Sequence, residues 1–195
     1  MSRHLFGSKL PSLSLCPIGG EIYAHVFENP RRSISRNLFW NMTINFEPVT
    51  AEDAEWDCSF GTDWLTWPVH AWPELDGMNL DKVIMPDMVE SSLYIMAEHH
   101  PATLKELRLS GRKGATFEAA ITASAHVGTD NGQRTIPVSF VCRLQFAGII
   151  VVDNKLGRMP SNSALAAAAV AEFIQLSGLR NPRSEGWRYV LEPEA

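Results

Sequence analysis

Residues 114–152 restrict the fold of this chain more than any other stretch. Ala115, Phe117, Ala119, Ile121, Ala123, Ala125 and Val127 share one parity, and Thr116, Glu118, Thr122, Ser124 and His126 share the other. After a turn rich in Gly and Asn at 128–133, the second arm sets Ile136, Val138, Phe140, Cys142, Leu144 and Phe146 against Thr135, Ser139, Arg143 and Gln145. This is strand periodicity on both arms, so the segment predicts a long antiparallel hairpin with one apolar face. A two-stranded ribbon is marginal in water, so the rest of the chain must supply its cover.

A second pair of strands is predicted over 21–47. Ile22, Ala24 and Val26 alternate in the first, and Leu38, Trp40, Met42, Ile44 and Phe46 in the second, with Pro48 as the stop. A short strand fits around Trp56 to Phe60, followed by a long ordered loop. Pro86 reads as the first turn of a helix over 86–99, with Met85, Met88, Val89, Ser92, Leu93 and Met96 as its buried stripe. The pair His99-His100 then falls at the helix C-terminus, where the dipole favours cations. A second helix is predicted over 161–177, capped by Ser161, striped by Leu165, Ala169, Phe173 and Leu176, and stopped by Gly178. Together these elements predict an α+β fold: a curved antiparallel sheet of about five or six strands, built on the long central hairpin, with two main helices on one face.

The length of 195 residues fits one domain, read as an irregular N-terminal arm over 1–20, a single α+β domain over 21–178 and a C-terminal tail over 179–195. The formal net charge of −5 disfavours nucleic acid, whose phosphates require a concentrated basic surface. No apolar run reaches the length of a membrane helix, and the polar, Pro-broken N-terminus does not read as a signal peptide. Cys16, Cys58 and Cys142 are odd in number and lack zinc or CxxC spacing, so the chain is expected to be reduced and cytoplasmic, with Cys142 a small core residue.

Motif chemistry narrows function only by exclusion. Neither GxGxxG nor GK[ST] occurs, and there is no HExxH, so no cofactor and no metal are expected. Gly111-Arg112-Lys113-Gly114 has the form of an RNA-clamping GxxG loop, but it opens a strand instead of joining helices, and reads as a basic turn. The informative segment lies between Trp56 and Trp72, which holds four of the six tryptophans, Trp56, Trp64, Trp67 and Trp72, beside the acids Asp53, Glu55, Asp57 and Asp63.

Three readings fit it. The tryptophans plug an open end of the sheet while the acids are solvated. Alternatively, Trp56, Trp64, Trp67 and Trp72 with Asp53 and Glu55 form a partner-binding hot spot, aromatic anchors with charges that steer a basic partner. The third reading makes Asp57 or Asp63 and His70 the acid and base of a small-molecule enzyme with an aromatic pocket. The expectation is a non-catalytic protein-protein interaction protein, either a subunit of a homo-oligomer or a neutralising partner, with the acid/base enzyme or small-molecule binder as the alternative.

Overall fold

The computed structural model of the chain describes residues 15–51, 54–95, 97–129, 132–152 and 160–194. It corrects the predicted class: about 65% of the described residues are strand, and among them nine strands form one sheet. In chain order these are β1 (Pro17–Asn29), β2 (Ile34–Ala51), β3 (Ala54–Leu65), β4 (Glu90–Ile95), β5 (Glu98–Lys113), β6 (Thr116–Thr129), β7 (Gly132–Val152), β8 (Arg183–Glu185) and β9 (Arg188–Leu191). Among the described residues a single α-helix, α1 (Ser163–Ala171), lies between β7 and β8.

Strands β1 to β7 meander, each antiparallel to the next, and β7 then pairs with β1. Seven strands that alternate in direction leave the first and last pointing the same way, so the closing pair is parallel, from Gly20↔Leu144 to Val26↔Val151. Closure turns the expected curved sheet into a barrel and removes its main edges. The β8–β9 hairpin, formed from the predicted tail, continues the sheet from the far end of β7.

Inward positions carry the core. Ala24 sits opposite Trp40 and Ala123 opposite Val138, so small residues face larger ones across the strand pairs. Trp40, Phe60, Phe117, Phe146, Ile22, Met42 and Ile44 are fully buried, and the barrel is filled by its own side chains. Burial pushes the thiols of Cys58 and Cys142 up to about 11, so both remain protonated core residues at neutral pH. Outward positions on the long hairpin include Glu118, Thr122, Ser139, Arg143 and Gln145, with Val141 also exposed among them. Among the described residues no helix is long and apolar enough to cross a membrane.

Among the register slips in the sheet are three along the barrel wall, in β7, β3 and β5. In β7 the pairing jumps from Ile22↔Phe146 to Tyr23↔Gly148, so the inward set changes from Leu144 and Phe146 to Ile149 and Val151. Gly148 has φ +117, and a Cβ there would lie 2.5 Å from the Leu191 carbonyl oxygen; only glycine lets β9 approach this closely. A second slip in β3 puts Trp64 at φ 66 and turns its ring onto the outer wall. The third, in β5, falls between Leu104 and Glu106.

The first predicted helix is absent. Residues 86–88 form one 3-10 turn, after which Leu93 and Ile95 alternate inward on β4 and Pro101 pairs with Ser92 on β5. A short apolar run satisfies both periods, and burial of Leu93 and Ile95 in the barrel decides for the strand. The pair His99-His100 therefore straddles a strand, His100 inward and His99 outward, and no helix dipole acts on it. The second helix is shorter than expected. Asn162, not Ser161, is its cap, accepting from the Leu165 amide at 3.0 Å, and Ala166, Ala169 and Val170 are buried while Leu165 is exposed.

Candidate functional site

The tryptophans divide between core and surface. Trp67 and Trp72 are buried; the Trp67 indole donates to the Asn79 carbonyl at 2.9 Å, and that of Trp72 to the Gly178 carbonyl at 3.1 Å. Trp72 also stacks on Phe146, with ring centroids 5.0 Å apart. Trp64 is half-buried on the outer wall, its ring centroid 5.4 Å from His25, 5.1 Å from Phe27 and 5.2 Å from Phe39. Trp56, at the start of β3, lines a surface groove of about 670 Å³ with Glu55 and Asp57. Asp53 lies outside the described residues.

Asp57 and Asp63 both project outward from β3, six residues or about 20 Å apart. Asp57 lines the groove beside Trp56, whereas Asp63 lines a neighbouring one of about 650 Å³. His70 lies beyond β3 on the chain before the Trp72–Leu75 turn, exposed, with its backbone amide donating to Glu74 and its carbonyl accepting from the Gln175 amide. The three side chains thus occupy different parts of the surface.

The Asp63 groove crosses the wall of β1 to β5. Gly61 is at its floor, Tyr23 and Thr43 form one side, and Tyr94 and His99 the other, their rings 4.8 Å apart. Asp63 and Glu90 face each other directly across the β3–β4 pair. Burial first, and then the Glu90 carboxylate, hold the Asp63 carboxyl above its ordinary value. Tyr23 is likewise raised, by burial and then by the charges of Asp63 and Glu21.

Tyr23 and Thr43 also line a third groove, of about 470 Å³, between β1 and the β8–β9 hairpin. Ser59 and Tyr94 are shared with the Trp56 groove. The three depressions therefore adjoin, in the order Trp187, Tyr23, Tyr94, Trp56. At the hairpin end Glu185 and Glu192 are paired with Arg183 and Arg188. Glu21, Asp63, Glu90, Glu55 and Asp57 form no ion pair among the described residues. The band is aromatic, open and negatively charged. Among the described residues no group of three or more His, Cys, Asp or Glu is arranged to hold a metal ion.

None of the groove residues Tyr23, Glu90, Ser92, Tyr94 and His99 is read from the sequence as a site residue; Ser92 is placed in a helix stripe and His99 at a helix end. Four of them fall in the stretch read as a helix, where the outward parity of a strand is invisible. The available signal was Tyr and His at the polar positions of alternating segments.

Fold and wall together define a class, a small closed β-barrel with a filled interior and a grooved acidic outer face. No protein-family model, curated protein or solved structure matches the chain.

Proposed function

We propose that this protein is a non-catalytic interaction protein that binds a basic, extended segment of another protein along the band from Trp187 to Trp56. The observation that carries the reading is the run of adjoining open grooves, each with an aromatic side chain, which together hold five carboxylates without an ion-pair partner among the described residues. Aromatic anchors supply contact area, and unneutralised acids steer and select a cationic partner. The filled barrel supports the same reading, because side chains occupy the interior space in which ligand-carrying barrels hold their ligands. Glu55 and Trp56 of the predicted hot spot lie on this band; Trp67 and Trp72 belong to the core.

The test is a titration of the full chain with short cationic, neutral and acidic peptides at low and high salt, followed by anisotropy. The cationic peptide is expected to bind, more weakly as salt rises, and to lose affinity for the triple variant Glu21→Gln, Glu55→Gln, Asp57→Asn. Equal binding of the acidic peptide, or none by the cationic one, would overturn the proposal.

A further inference from the structure

The central groove has features that an acidic surface alone does not explain. Gly61 lies in the middle of β3 with an ordinary extended backbone, and a Cβ there would meet Ser92 Oγ at 3.8 Å and the Met42 carbonyl oxygen at 3.9 Å, both ordinary contacts. Neither packing nor conformation requires glycine at this position, although glycine inside a strand costs about 0.5–1 kcal/mol relative to alanine. What it provides is depth in the groove. Beside it Ser92, 9% exposed, lines the groove, and its hydroxyl makes no hydrogen bond among the described residues. At the acidic end Asp63 and Glu90 stand directly opposite each other, an arrangement that repels until a cation sits between them.

We propose that this groove, floored by Gly61 and edged by Tyr23, Asp63, Glu90, Ser92 and Tyr94, is a subsite for the guanidinium of an arginine in the basic partner. The inference rests on the interaction reading above and specifies one position of it. A guanidinium matches the site better than an ammonium. Its planar fork spreads donors over the two opposed carboxylates, and its flat face can stack on an aromatic ring lining the same groove. An ammonium offers three donors around one point. Among the described residues no third carboxylate, histidine or cysteine joins the pair to form a metal-binding group.

The experiment compares a short peptide of arginine, proline and serine with its lysine and citrulline counterparts, titrated into the full chain and read by calorimetry. The arginine peptide is expected to bind about tenfold more tightly than the citrulline one, as the loss of one charge-assisted hydrogen bond implies, with lysine in between. Asp63→Asn and Gly61→Leu, which remove a carboxylate and fill the floor, should each weaken the arginine peptide about tenfold. Gly61→Ala, whose methyl fits, provides the folding control by thermal melt. If the arginine peptide binds both variants as it binds the parent, the subsite is overturned while the wider interaction reading stands. Lysine binding as tightly as arginine overturns the guanidinium assignment. If no cationic peptide binds, the interaction reading fails and takes the subsite with it.

Discussion

Asn41 donates from Nδ2 to Nδ1 of His25 at 2.8 Å, a diagonal contact across the β1–β2 pair on the outer wall. The amide orientation is fixed from both ends, since Oδ1 accepts from the Trp64 backbone amide at 3.3 Å and Nδ2 also donates to the Phe39 carbonyl at 3.2 Å. Nδ1 of His25 must therefore accept, and the imidazole is neutral with its proton on Nε2. Desolvation among Phe27, Phe39 and Trp64 lowers its pKa from 6.5 to about 4.

That shift sets a pH dependence. The folded pKa is depressed, so between 6.5 and about 4 the unfolded chain binds a proton that the folded one refuses, and stability falls as pH is lowered through this window. The full drop from this one group is about 3 kcal/mol. Denaturant melts of the parent and His25→Gln at pH 7 and pH 4 should show the parent losing more by roughly that amount. Parallel losses would show that His25 is not held neutral.

Asn41→Leu keeps the size but orphans the Trp64 amide and the Phe39 carbonyl beneath an aromatic cover. The expected loss is about 3 kcal/mol, with a shift in tryptophan emission as Trp64 loosens. An unchanged melting curve would contradict the assignment of these bonds.

Trp72→Ala should cost about 3–5 kcal/mol, because it empties a buried volume against Phe146 and Phe117. Trp187, 64% exposed with the Arg188 guanidinium 5.6 Å from its ring, should tolerate alanine within about 0.5 kcal/mol. Equal losses in the two melts would mean that core and surface have been misassigned.

Gly148→Ala combines a left-handed backbone with a Cβ 2.5 Å from the Leu191 carbonyl oxygen. It should destabilise by more than 1 kcal/mol, on the order of the strain in such positions, and raise amide exchange along β9 first. Uniform exchange across the barrel would argue against a local lesion.

Asp63→Asn should stabilise the chain at neutral pH. The folded carboxyl is raised by burial and by Glu90, so its ionised form is penalised once pH exceeds the ordinary value of 3.8, and the variant escapes that penalty. Below that pH the two chains should converge. A variant less stable at pH 7 would mean that Asp63 holds an attraction the geometry does not show.

The sequence determined the two long hairpins and the core face of each. Phe117 to Val127 and Val138 to Phe146 are buried on the predicted parity, because alternation is a local property that survives any tertiary arrangement. It also concentrated acids and tryptophans near β3, but it could not sort Trp56 from Trp72, which differ in depth and not in neighbours along the chain. Strand or helix for Ser92 to Ile95, the parallel closure of β1 on β7, and the adjoining of Tyr23, Asp63 and Tyr94 were decided only in three dimensions. A short apolar segment takes whichever period the core beside it can bury, and residues on separate strands become one groove only when register and bulges bring them onto the same wall.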